Sequence, residues 1–164
     1  YGAMFIRAVS AGAARPTVVR TDFILNGFAS GGRVVSAGGA VYAEEDLGEV
    51  DARFYNVEFR SNHANEAGAV YVGRGASLKF YNARFWRNHA ESGTGGALVL
   101  RHDEAEVVLV NPWFPLDARG RPTFAERWRV IGVEVTPATR GTGTDRARLI
   151  FEEPTGHPTS ETER

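Results

Sequence analysis

Two histidines, His63 and His89, stand at the same place in two copies of one motif. If the copies stack as neighbouring strands, the rings lie about 4.8 Å apart, the strand spacing of a sheet. At that range two imidazoles share a metal ion or a proton, and Glu66 or Glu91 would supply a carboxylate. Two imidazoles with an unplaced third ligand fall short of a built metal site. Duplication of a corner residue along with its repeat accounts for the pair more simply. The sequence reading therefore assigns no metal and no cofactor, and keeps His63 and His89 with Trp86 as a candidate binding face.

Carboxylates form the second chemistry-bearing set. Glu44, Glu45 and Asp46 precede Leu47-Gly48-Glu49-Val50-Asp51, and Asp103, Glu104 and Glu106 fall in a similar place two repeats later. Stacked carboxylates can bind calcium or cleave polysaccharides, but these lie where loops are expected, as solvated turn charges do. Trp86, Trp113 and Trp128 are the aromatic candidates for a sugar platform. Trp86 adjoins the core residue Phe85, so alternation points it outward, where it binds a ligand or packs under a loop. No nucleophile elbow, phosphate loop, His-Glu-x-x-His or dinucleotide fingerprint occurs. No catalytic residue is assigned.

What must position these residues is a degenerate repeat. Phe54-Tyr55-Asn56-Val57-Glu58-Phe59-Arg60-Ser61-Asn62-His63-Ala64 aligns with Phe80-Tyr81-Asn82-Ala83-Arg84-Phe85-Trp86-Arg87-Asn88-His89-Ala90. Weaker copies run from Val18 to Asn26 and from Leu109 to Phe114. A second element alternates with these: Gly38-Gly39-Ala40-Val41, Ala67-Gly68-Ala69-Val70 and Gly95-Gly96-Ala97-Leu98, with Gly2-Ala3-Met4-Phe5 as a fourth copy. The glycine before alanine recurs at 2, 39, 68 and 96, in steps of 37, 29 and 28 residues. Short alternating runs such as Ser77-Leu78-Lys79-Phe80, punctuated by glycine and asparagine, are strands rather than helices. Short strands in every repeat predict an all-β fold, a right-handed single-stranded parallel β-helix of about four coils with an irregular C-terminal strand pair.

In such a stack, residues of equal repeat position form columns. Phe23, Phe59, Phe85 and Phe114 are expected to make an internal aromatic column. Asn26, Asn62 and Asn88 are expected to form one amide ladder, and Asn56, Asn82 and Asn111 a second. Gly39, Gly68 and Gly96 mark tight corners where small residues are required, and Ala40, Ala69 and Ala97 are expected to face inward.

These elements resemble the repeat of chlamydial polymorphic membrane proteins, in which Gly-Gly-Ala-apolar alternates with Phe-x-x-Asn. Here the resemblance is carried by Gly38-Gly39-Ala40-Val41, Phe59-Arg60-Ser61-Asn62, Phe85-Trp86-Arg87-Asn88 and Gly95-Gly96-Ala97-Leu98, and it covers about residues 2–114. Two departures stand out: Ala67 replaces a glycine, and Asp117 replaces the asparagine of the last copy. The resemblance implies a β-helix acting as a secreted or surface-displayed adhesin or scaffold.

Bulk properties narrow the classes. A net charge of −1 argues against nucleic acid as a partner. There are no cysteines, which removes disulfides and thiolate sites, and no apolar run is long enough for a membrane-spanning helix. Of the 19 basic residues only Lys79 is a lysine, which reads mainly as codon bias, with planar pairing of arginines to carboxylates as the alternative. Residues 1–114 are expected to be coils truncated at the N-terminus, 115–153 an irregular final coil or capping hairpin, and 154–164 a polar tail or linker. The open first coil calls for more of the same chain or a protein partner, and the exposed aromatics would suit a glycan. The resulting expectation is a non-catalytic segment of a large extracellular or cell-surface protein. A polysaccharide lyase or glycoside hydrolase on the same fold, and a scaffold subunit of an intracellular assembly, stand as alternatives.

Overall fold

A computed structural model of the chain describes residues 2–27, 35–91, 95–101, 104–114, 131–134 and 148–152. Asp103, Asp117, Trp128, most of 115–153 and the 154–164 tail lie outside the described residues. Among the described residues every regular element is a strand. The first pass of the chain comprises β1 (Met4–Ala8), β2 (Ala13–Ala14), β3 (Thr17–Val19), β4 (Asp22–Ile24) and β5 (Val35–Ala37). The second comprises β6 (Val41–Glu45), β7 (Glu49–Tyr55), β8 (Glu58–Arg60) and β9 (His63–Glu66). The third comprises β10 (Val70–Val72), β11 (Ala76–Tyr81), β12 (Arg84–Trp86) and β13 (His89–Ala90). After these come β14 (Leu98–Arg101), β15 (Glu106–Val110), β16 (Ile131–Glu134) and β17 (Arg148–Glu152).

Among the described residues the strands make four separate sheets. One has the order β1-β6-β10-β14-β16 and a second β17-β15-β11-β7-β2, with β3 also on β7. The third is β12-β8-β4 and the fourth β13-β9-β5. Among the described residues all pairings are parallel. The chain thus visits the four sheets in the same order on successive passes, which is why residues about one repeat apart become lateral neighbours. The two C-terminal strands do not form the hairpin that was one expectation. β16 extends the first sheet beside β14, and β17 extends the second beside β15. Parallel pairing therefore continues beyond Phe114.

Alternation within each strand builds the core. In β11, Ala76, Leu78 and Phe80 are buried while Ser77, Lys79 and Tyr81 are only partly so. Phe23, Phe59 and Phe85 pair in register, their rings stacked 4.9 Å apart at 5° and 8°. Phe114 joins below Phe85 at 5.3 Å. A second column, Phe54 on Phe80 at 4.7 Å, meets the first edge-on, with Phe80 5.9 Å from Phe59 and 5.7 Å from Phe85. Burial of each phenyl contributes about 1.5–3 kcal/mol, and the mix of stacked and edge contacts suits the ring quadrupole. Ala40, Ala69 and Ala97 are buried.

The small-residue corners are dictated by backbone approach. A Cβ built on Gly39 would overlap the Gly68 carbonyl oxygen and crowd the His63 backbone. One built on Gly68 would overlap the Gly96 carbonyl oxygen and crowd the His89 backbone. The preceding residue is left-handed in each repeat, with φ of 61° at Gly38, 53° at Ala67 and 66° at Gly95. Ala67, the departure from the repeat, therefore holds a conformation that costs an L-residue about 1–2 kcal/mol.

Candidate functional site

His63 opens β9 and His89 opens β13, and the two pair directly in the fourth sheet. Their backbones are tied into the stack: the His63 N–H donates to the Asn26 carbonyl and the His89 N–H to the Asn62 carbonyl, both at 2.9 Å. The rings meet edge to face with centroids 4.4 Å apart. Glu91 lies two residues beyond His89, on the same side of the extended chain, and its own N–H donates to the Ala64 carbonyl at 3.0 Å. One Glu91 oxygen is 2.7 Å from His63 Nε2 and the other 3.9 Å from His89 Nε2. A ligand atom from each of the three residues falls within a 4.8 Å cluster. The His63 side chain is 18% exposed, His89 35% and Glu91 50%, so the cluster opens to solvent on the carboxylate side. Burial, and then the neighbouring His63, hold the His89 imidazole below its ordinary pKa, while Glu91 opposes the shift.

Of the two carboxylates that the sequence offered to this pair, the structure brings Glu91. Glu66 is instead paired with Arg101 of β14. The reason is lateral: Glu66 ends β9 beside Arg101 of the first sheet, whereas Glu91 stands two residues after His89, just beyond the end of β13 in the fourth.

The adjoining corner is the buried amide ladder. Asn26 donates from its backbone N–H and from Nδ2 to Asn62 Oδ1, at 3.0 and 2.9 Å. Asn62 repeats both bonds onto Asn88 Oδ1 at the same distances. Asn62 Nδ2 also reaches the Phe23 carbonyl, and Asn88 Nδ2 the Phe59 carbonyl, each at 2.9 Å. Asn62 is fully buried. The second ladder is exposed and simpler, with Asn82 Nδ2 donating to Asn56 Oδ1 at 3.1 Å and Asn111 Nδ2 to Asn82 Oδ1 at 2.8 Å.

Trp86 is half-buried. Its indole N–H donates to Glu58 Oε1 at 2.9 Å, and the Arg60 and Arg87 guanidinium carbons lie over the ring, 5.5 and 4.9 Å from its centroid. The aromatic surface is thus engaged by cations of its own chain, and a sugar would have to displace them. Trp113 is 48% exposed and continues the third sheet through a bridge to Arg84. The first acidic group is bridged by Arg7, 2.9 Å from Asp46 and 3.9 Å from Glu44. Tyr42 also donates to Glu44 at 2.8 Å. In the second group Glu104 stands 3.9 Å from Arg74 and Glu106 3.4 Å from Arg148. Both groups therefore have cationic partners on neighbouring passes of the chain. Arginine supplies these partners, the carboxylate pairing that the composition offers beside codon bias, and at Arg7 with Glu44 and at Arg148 with Glu106 the two signs stand at paired positions of neighbouring strands.

No family model, curated protein or solved structure matches this chain. Among the described residues no helix is long and apolar enough to cross a membrane.

Proposed function

We propose that the four sheets are the faces of one right-handed single-stranded parallel β-helix. We further propose that the chain is a non-catalytic segment of a large cell-surface or extracellular protein, of the polymorphic membrane protein repeat type, serving adhesion or structural assembly. The observation that carries this reading is like-on-like stacking. The repeat positions are spent on equivalent residues of the next pass: Phe on Phe, Asn on Asn, Tyr42 on Tyr71 at 4.6 Å and Tyr55 on Tyr81 at 4.6 Å. Side chains committed to one another build a stiff column and present its sides, which is what a scaffold requires. The outer pass also exposes Phe5, Val9, Val19, Ile24 and Leu25, an apolar rim beside the edge strand β1 suited to further strand pairing.

The test is surface labelling of intact cells that produce the full-length protein, with binding of the purified chain to a glycan panel and to cells. Labelling together with saturable binding to cells or a glycan supports the reading. A protein found only inside cells, or turnover of a polysaccharide by the purified chain, overturns it.

A further inference from the structure

We propose that His63, His89 and Glu91 form a three-ligand site for a divalent transition-metal ion of the zinc class. Tetrahedral ligands on bonds of about 2.0–2.1 Å stand roughly 3.4 Å apart. The 2.7 and 3.9 Å separations of the Glu91 oxygens from the two Nε2 atoms bracket that value, and the three ligand atoms fit within 4.8 Å. Small rotations of three side chains close the site. Two imidazoles and one carboxylate are a donor set for zinc-type ions; calcium and magnesium take oxygen.

The support behind these ligands is unusually rigid for a surface cluster. The two histidines are paired in register, each follows a rung of the buried asparagine ladder, and each backbone N–H is held by the preceding pass. Gly39 and Gly68 press against the same two backbones. Ligands mounted on such elements stay within the few tenths of an ångström that coordination needs. The ion would cross-link consecutive passes, since His63 lies on β9 and His89 with Glu91 on the next. With three protein donors and Glu91 half exposed, one coordination position faces solvent and takes water or a donor from another molecule.

This site is independent of the scaffold reading, and either stands if the other fails. The experiment is a calorimetric titration of the metal-free full chain with zinc chloride in a non-coordinating buffer, with the visible absorption of a cobalt(II) complex as the geometry readout. The expected result is saturation at one ion per chain and a tetrahedral cobalt spectrum. His63→Ala and His89→Ala should each weaken binding roughly 10–100-fold, and Glu91→Gln about tenfold. The doubly substituted His102→Ala/His157→Ala chain, lacking the only other histidines, should bind as the original does. Far-UV circular dichroism checks each variant, and because Glu91 is half exposed, Glu91→Gln keeps the test valid if a histidine variant unfolds. Absence of saturable binding, binding unchanged in Glu91→Gln, or binding lost in the His102/His157 variant overturns the site.

Discussion

The two asparagine ladders use the same residue at the same period for different physical ends. In the exposed ladder the asparagines themselves are left-handed, with φ of 52° at Asn56, 54° at Asn82 and 50° at Asn111. Asparagine is there because it tolerates that conformation, and its side-chain bonds compete with water. In the buried ladder the left-handed residue is the one before: Leu25 at 55°, Ser61 at 54° and Arg87 at 55°. That turn swings Asn26, Asn62 and Asn88 inward; Asn62 is fully buried, so its bonds to the next rung and to the Phe23 carbonyl have no water to replace them, while Asn26 and Asn88 flank it half-buried. One ladder is a backbone solution decorated with hydrogen bonds; the other is a hydrogen-bond network supported by its neighbours' backbone.

Substitutions should separate the two ladders, and the largest effect is expected beside the buried one. Gly68→Ala drives a Cβ into the Gly96 carbonyl and the His89 backbone and should destabilise by on the order of 3 kcal/mol, read from the urea midpoint. A loss below about 0.5 kcal/mol would show that the corner yields and that the buried ladder is not held rigidly. Next is Asn62→Ala, which strands the Asn26 N–H and the Phe23 carbonyl and should cost about 2–3 kcal/mol. Asn82→Ala should cost about 1 kcal/mol, mostly as left-handed strain, while Asn82→Gly should be nearly neutral. Equal losses for Asn62→Gly and Asn82→Gly would show that the two ladders do not differ in this way. Ser61→Gly removes left-handed strain without touching the amides and should stabilise by roughly 0.5–1 kcal/mol.

The smallest expected effect is in pH. His89 sits below its ordinary value when folded, held there by burial and by His63 against the pull of Glu91. The unfolded chain therefore takes up the proton first. Stability from this group is complete above about pH 6.5 and is lost as pH falls through that value and on through the lower folded one. Thermal melts between pH 7.5 and 5 should show the decline, and His89→Gln should flatten it. An identical pH profile in that variant would assign the decline elsewhere.

Much of this was legible in the chain. Phe59, Phe85, Asn62, Asn88 and the Gly-Ala corners recur at one spacing, and a recurring spacing in a parallel stack is itself a prediction of contact. The second phenylalanine column is equally visible, since Phe54 and Phe80 share a repeat position, although the column expected from Phe-x-x-Asn holds only Phe23, Phe59, Phe85 and Phe114. The candidate site was half legible: the equivalence of His63 and His89 is printed in the sequence, but the choice between Glu66 and Glu91 is not. Alternation points Trp86 outward but does not show that Glu58, Arg60 and Arg87 engage its ring.

The sequence by itself determined the strand period, the residues that face inward and the columns they form, because alternation and repeat spacing are properties of the chain alone. The tertiary structure decided which ladder is buried, which carboxylate joins the histidines, and that β16 and β17 extend two different sheets rather than pair with each other. Those outcomes depend on turn conformation and on the lateral register between passes. A single left-handed residue moved by one position sends the following asparagine into the core or out to solvent.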